Sequence, residues 1–271
     1  MSRQLLTELF DTCRREQRAA LMPYMTVGLP SPQESVRLFV AMAEAGADGF
    51  EVGIPYADPL MDGPTIQAAG ERALAAGSGV EVGLDLLAEI VAETGKPCVV
   101  MTYVNPILRM GIEAFADRVA GAGAAGVIVA DLPVDEADPF RKAFTDRGIG
   151  LVLFVAPTTT EQRLSRVVKA DPPFIYGIAE LGVTGVRSTA SSHIESLVSR
   201  VRKLSQVPVV VGVGISTPDQ ARAAASQADG VIVGSALVKR VLVAADIGEA
   251  EDALRAAVSD LARAVRRPKS D

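Results

Sequence analysis

The 271-residue chain has one histidine, two cysteines, six lysines and no tryptophan. Each scarcity excludes a chemistry. A lone His193 cannot build a catalytic histidine cluster or a histidine-rich zinc site, and its place after Ser191-Ser192 reads as a surface position in the first turn of a helix. Cys13 and Cys98 form neither a disulfide framework nor a ligand cluster, and reduced thiols in a cytoplasmic protein are the simpler expectation. No metal is therefore expected. Lys+Arg is 27 against Asp+Glu 33, a net charge of −6, so no nucleic-acid footprint is expected. The strongest apolar stretch, Val207 to Ile215, is about half a membrane span, and no membrane association is expected. The N-terminal segment carries charges every few residues and no apolar h-region, so a secretory signal is not expected.

What is present is 49% hydrophobic and 22% charged, the balance of a folded soluble protein. Eight short apolar runs recur: Ala20–Val27, Gly49–Ile54, Pro97–Val104, Gly126–Asp131, Gly148–Val155, Phe174–Ala179, Val207–Ile215 and Gly230–Gly234. Several are continuous rather than alternating, as in parallel strands covered on both faces. Amphipathic segments separate them, among them Pro32–Ala45, Val82–Thr94, Ile112–Ala122, Asp135–Asp146, Thr160–Ala170, Ser192–Leu204 and Pro218–Gln227. Ser31-Pro32, Thr217-Pro218 and Ser192 read as helix starts. Glu249–Val265 reads as a long last helix and Arg3–Gln17 as an extra first one. Eight strand–helix units predict an α/β fold, a single-domain (β/α)8 TIM barrel over residues 1–271. It has an extra N-terminal helix and a short extra helix, Ala236–Val243, after strand 8. A doubly wound open sheet is the alternative, but its dinucleotide fingerprint is missing after the first strand.

Such barrels place their active sites at the C-terminal ends of the strands. Glu51 is a charge inside an otherwise apolar strand, Gly49–Ile54. Alternation puts it on the face opposite Phe50 and Val52. On the interior its pKa rises, as a general acid requires. The plainer reading is a Glu satisfied by a neighbouring Arg or Tyr. The long loop 56–64 carries Asp58 and Asp62. Asp62 is either a turn or cap residue, or the partner of Glu51 in a carboxylate pair of differing environment. Tyr176 offers a phenol to the interior, or is a core aromatic. The glycines of Gly182-Val183-Thr184-Gly185 suit a lid or close approach to an anion. Gly212-Val213-Gly214 and Gly234-Ser235, before the short helix, match a phosphate site of free N–H groups; tight turns and an ordinary N-cap are the alternative. Tyr103, Asn105 and Asp131 end strands 3 and 4 and either line the pocket or are structural. Arg109 and Arg187 read as solvated.

A phosphate site, two carboxylates and a phenol point to proton-transfer chemistry on a small phosphorylated substrate. The lysines lie before strand 3, on helices or in the tail, so a Schiff base is not expected. Carbon–carbon cleavage here would run by acid–base catalysis alone, which needs an easily protonated leaving carbon.

The stretch from Glu51 to Gln67, EVGIPYADPLMDGPTIQ, resembles the signature of the tryptophan synthase alpha subunit family. The likeness continues through residues 23–28, 101–106, 129–133, 182–185, 212–216 and 234–236, nearly the whole chain in order. The resemblance implies cleavage of indole-3-glycerol phosphate to indole and glyceraldehyde 3-phosphate. It implies Glu51 as the general acid/base that protonates the indole carbon bearing the side chain, and Asp62 as the carboxylate on the indole N–H. It places Tyr176 beside the Glu, Tyr24, Tyr103 and Ile128 in the indole pocket, and Thr184, Gly185, Gly214, Gly234 and Ser235 at the substrate, the glycines and Ser235 on its phosphate. The loops around Asp58 and Gly185 resemble two that order on ligand binding. The implied partner is the beta subunit, in an alpha2-beta2 tetramer, with pyridoxal phosphate in that partner and no cofactor in this chain. The chain departs from the family pattern at Leu29, Ala179-Glu180-Leu181 and Val213. Other readings are a stand-alone lyase, separable by rates with and without the partner, a degenerate barrel kept for assembly, and a sugar-phosphate isomerase. The last has no reason to pair this Glu with this Asp loop.

Overall fold

Strands this short and this thoroughly buried can satisfy their backbone groups only by pairing on both edges. A computed structural model, describing residues 2–178, 187–212 and 214–266, has them do so. The strands are β1 (Ala20–Thr26), β2 (Phe50–Gly53), β3 (Cys98–Thr102), β4 (Gly126–Val129), β5 (Gly150–Val155), β6 (Ile175–Gly177), β7 (Val209–Val211) and β8 (Gly230–Val233). Each pairs in parallel with its sequence neighbours, and β1 pairs with β8, so the sheet closes in the order β1 to β8. This is the expected (β/α)8 barrel.

Twelve helices are formed among the described residues. They are α1 (Ser2–Arg15), α2 (Pro32–Glu44), α3 (Pro64–Ala75), α4 (Val80–Thr94), α5 (Val104–Met110) and α6 (Ile112–Gly121). The rest are α7 (Asp138–Thr145), α8 (Glu161–Lys169), α9 (Arg187–Arg202), α10 (Pro218–Ala225), α11 (Ser235–Val243) and α12 (Ile247–Ala264). The extra helices α1 and α11 are where the sequence places them. The strands are shorter than their apolar runs, because the flanking residues turn into helices or loops. Val104 and Asn105 are not strand residues but open α5. His193 is exposed but lies in the second turn of α9, which starts at Arg187, so Ser192 is not its cap. Thr217 does cap α10, with a full capping box to Gln220. Ser31 holds the N-cap position of α2, but its hydroxyl donates to Glu34 Oε2 at 2.7 Å rather than accepting a backbone N–H.

One end of the barrel is plugged. The N-terminal helix α1 lays Leu6, Leu9 and Phe10 across the strand starts, close to Gly126, Gly49 and Gly230 respectively. The Phe10 ring meets Phe174 edge-on at 5.8 Å. Arg18 and Asp48 form a half-buried ion pair at 2.6 Å, and Asp48 also accepts the Leu21 N–H at 2.8 Å, closing the corner between β1 and β2. Cys13 and Cys98 are free and buried, and burial pushes both thiols up to about 12, so they stay protonated. On the outside, arginines bridge neighbouring helices: Arg118 joins α6 to Glu81 and Asp85 of α4, and Arg147 reaches Glu113 and Asp117 of α6. Among the described residues, no helix is long and apolar enough to cross a membrane.

At the opposite, open end the chain turns sharply after β1. Gly28, just past β1, has φ +87°, and a Cβ there would sit 2.0 Å from Ser78 Oγ. Both the backbone and the space demand glycine. Leu29, one of the departures, is fully buried in the core. Gly28→Ala is expected to lower stability by roughly 2 kcal/mol or more. Urea unfolding followed by circular dichroism measures it; an unchanged midpoint contradicts the crowding read here.

Candidate active site

Strand β2 makes the site possible. Phe50 turns outward, its ring edge-on to Phe39 of α2 at 5.3 Å. Alternation then sends Glu51 inward, where it is 5% exposed and lines a cavity of about 570 Å³ at the open end of the barrel. It lies in register with Tyr24 on β1 and Val99 on β3. The inner wall around it is apolar: Met101, Ile128, Phe154 and Ile232. Burial raises the Glu51 carboxyl to about 8, with the nearby Asp62 charge adding to the rise. Among the described residues, no ion pair or hydrogen bond to its carboxyl is formed.

All four tyrosines of the chain gather at this end. Tyr24 and Tyr176 flank Glu51 in the cavity wall. Their hydroxyls reach over glycines: a Cβ at Gly53 would lie 2.3 Å from Tyr24 Oη, and one at Gly212 the same distance from Tyr176 Oη. The Tyr24 hydroxyl bonds Thr26 Oγ1 at 3.2 Å. Burial holds both phenols well above their ordinary value, so both stay protonated.

Asp62 reaches the same cavity from the loop after β2. It is not the cap of α3; that position is Gly63. Burial raises its carboxyl to about 6, while a hydrogen bond from Tyr103 pulls it back. Between those two values one carboxyl is protonated and the other ionised, which is the condition for separate acid and charge-stabilising roles.

The far wall of the cavity is built from Gly214, Ile215, Ser216, Gly234, Ser235 and Ala236. Gly214 has φ +81°. The N–H groups of Ser235 and Ala236 lie ahead of the α11 ladder, and the helix dipole favours an anion there. No lysine or arginine lines the cavity among the described residues. An anion here would be held by main-chain N–H groups and hydroxyls.

The structure thus brings together Tyr24, Glu51, Asp62, Ile128, Tyr176, Gly214, Gly234 and Ser235. Thr184 and Gly185, with Ala179-Glu180-Leu181 and Val213, lie outside the described residues. Tyr103 is 2% exposed and stands behind the wall rather than in it. Asn105 and Asp131 are not in the wall either: Asp131 accepts the Val104 N–H at 2.8 Å and Asn105 donates to Tyr56 Oη at 3.2 Å. Phe154, Met101 and Ile232 were not among the expected lining residues. Only their positions near strand ends could have marked them. No cluster of three or more potential metal ligands occurs among the described residues.

The raised Glu51 has a consequence for stability. Between its ordinary value of 4.5 and about 8, the unfolded chain has released this proton while the folded chain keeps it. The unfolded state binds fewer protons, so stability falls as pH rises through that window. Glu51→Gln is expected to match the wild type near about pH 4 and to exceed it increasingly up to about pH 8. Equal unfolding midpoints across the range contradict the buried, raised carboxyl.

The sequence pattern of the family described as "Tryptophan synthase alpha chain" matches residues 10–266. A tryptophan synthase alpha chain of Mycobacterium marinum is 43% identical over 265 residues, covering 98% of this chain and 96% of that protein. That of Nocardia farcinica is 45% identical over 261 residues, covering 96% of each. A solved tryptophan synthase structure from Mycobacterium tuberculosis superposes with a TM-score of 0.87 at 42% identity, covering 97% of this chain and 98% of that one. A tryptophan synthase alpha chain structure from Legionella pneumophila gives 0.88 at 30% identity, covering 98% and 99%. Carried by a barrel of this topology with a carboxylate pair at its mouth, these likenesses settle one point: the chain belongs to the tryptophan synthase alpha chain family.

Proposed function

We propose that Glu51 and Asp62 carry out the family's lyase reaction, cleavage of indole-3-glycerol phosphate to indole and glyceraldehyde 3-phosphate in tryptophan biosynthesis. The observation that carries this reading is the carboxylate pair in one cavity, Glu51 buried in the barrel and Asp62 at its rim, whose differing burial favours a protonated Glu51 and an ionised Asp62. The indole sits among Tyr24, Ile128 and Tyr176, against the apolar wall. The phosphate lies on the N–H groups of Gly214, Gly234 and Ser235, with Thr184 and Gly185 completing the substrate contacts.

Protonated Glu51 delivers its proton to the ring carbon that bears the glycerol chain. Asp62 balances the positive charge that develops on the ring nitrogen. The glycerol hydroxyl next to the ring then loses its proton, and the carbon–carbon bond breaks toward the ring while an aldehyde forms. Glu51, left as a carboxylate by the first step, is placed to take that proton. It ends protonated again, so the cycle consumes no external acid or base. Burial serves both steps, because a carboxyl near 8 is a ready acceptor once ionised and still a donor at neutral pH.

The same reading makes residues 1–271 one catalytic domain working in the cytoplasm. Its partner is the tryptophan synthase beta subunit, in an alpha2-beta2 tetramer, which consumes the indole and holds the pyridoxal phosphate; this chain needs no cofactor of its own.

Incubation of the chain with indole-3-glycerol phosphate, alone and with the beta subunit, and detection of released indole tests the assignment. Glu51→Gln is expected to cut turnover by about 10²–10⁴-fold with substrate affinity largely kept. Asp62→Asn is expected to be severely impaired, because an amide supplies no negative charge. Near-normal indole release by Glu51→Gln overturns the acid assignment. The partner is expected to raise the rate by ordering the loops at the mouth.

A further inference from the structure

We propose that Tyr103 is a positioning residue for Asp62: together with Tyr56 it clasps the loop after β2 to the start of α5 and so fixes where the Asp62 carboxylate sits. The proposal rests on the role of Asp62 given above. It departs from the place the sequence resemblance gives Tyr103, the lining of the indole pocket.

The loop from Tyr56 to Gly63 has little else to hold it. Leu60 and Met61 are 81% and 59% exposed, with Met61 also at the cavity rim. The loop's internal bonds are short-range turns, Leu60 N–H to Asp58 O and Asp62 N–H to Pro59 O, and the Gln67 side chain donates to the Asp62 carbonyl at 2.8 Å. Among the described residues, the long-range hydrogen bonds that reach this loop are made by Tyr103 and Asn105. The Tyr103 hydroxyl accepts the Met61 N–H at 3.2 Å, and from there its own proton faces the neighbouring Asp62 carboxylate and pulls its pKa down. One phenol can do both, having one proton and two lone pairs. Burial and the Asp62 charge push the Tyr103 phenol up, so it keeps the proton it donates.

The other end of the loop is held to the same short stretch. The Tyr56 ring tilts onto Tyr103, centroids 5.2 Å apart, and its hydroxyl accepts from Asn105. Asp131, bonded to the Val104 N–H, fixes the start of α5 beneath them. Residues 103–105 therefore grip the loop at its beginning and at its catalytic end. Displacements of about 1 Å at a reacting group cost large factors in rate, so a clasp of this kind bears on chemistry and not only on stability. Among the described residues, the ionisable groups that face Asp62 are Tyr103 beside it and Glu51 and Tyr24 across the cavity, with Asp131 beyond Tyr103.

Tyr103→Phe keeps the ring and its packing but removes both bonds. Carbon-13 NMR of labelled aspartate carboxyls, with the Asp62 signal identified by its loss in Asp62→Asn, follows the titration directly. The Asp62 midpoint is expected to rise in Tyr103→Phe, since its donor is gone. The turnover number for indole release is expected to fall roughly tenfold or more, as for a lost charge-assisted bond. KM is expected to change less, and the acidic limb of kcat/KM to move up with the Asp62 midpoint. Tyr56→Phe leaves the Tyr103 hydroxyl in place and is expected to leave the Asp62 midpoint where it is. Incorporating 3-fluorotyrosine at position 103, which strengthens the donor at nearly constant size, moves the midpoint down and covers the case in which Tyr103→Phe does not fold. An unmoved Asp62 midpoint with a raised KM overturns the clasp and returns Tyr103 to the pocket lining. A midpoint that moves while indole release does not supports the clasp and removes instead the catalytic role given to Asp62.

Discussion

The site depends on one constraint, a carboxyl group held where water cannot solvate its charge. Glu51 owes this to a single step in a strand: Phe50 and Val52 pack outward, and the residue between them must face the barrel interior. Its neighbours there are hydrocarbon and protonated phenols. Burial and the Asp62 charge both work against ionisation, and no cation lines the cavity among the described residues, so Glu51 holds its proton past neutrality. Asp62, on a loop at the rim, is only half buried and has a donor. The same residue chemistry thus yields an acid in one place and a charge in the other, through environment alone.

The rest of the barrel separates stability from function along its axis. At one end α1 fills the strand starts with Leu6, Leu9 and Phe10, and the Arg18–Asp48 pair seals a corner. At the other end glycines clear the floor. Gly53 and Gly212 leave room for the two phenols beside Glu51, and Gly214 and Gly234 line the cavity across from them. Cations are spent on the outer helices, where arginines staple neighbours together. Keeping them out of the described cavity wall matters, because a nearby cation would ionise Glu51 early. Main-chain dipoles at α11 can attract a phosphate without doing so.

Much of this was legible in the sequence. Eight apolar runs, several of them continuous, pointed to the barrel, and a lone charge within one of them singled out Glu51. The motif around Asp62 and the Gly-Ser pair before α11 placed the other two parts of the site. What stayed hidden has physical reasons. The helix α5 is seven residues long and follows β3 without a break, so Val104 and Asn105 read as strand. Ser192 resembles a cap because serine is a good one, yet α9 starts earlier, at Arg187. Phe154 and Ile232 look like any core residue of a barrel strand, since periodicity cannot tell inner wall from pocket wall. Tyr103 was visible as a residue near the site. Its contacts to Met61 and Asp62 depend on loop geometry that no spacing along the chain encodes.

The protonation state of Glu51 is the most direct point at which to test this account. Infrared difference spectra between the wild type and Glu51→Gln, recorded as pH is varied, isolate its carboxyl band. A protonated carboxyl at neutral pH that ionises only near 8 is the predicted result. A Glu51 already ionised at the pH of an ordinary solvated carboxylate contradicts it, and with it the division of labour between the two acids.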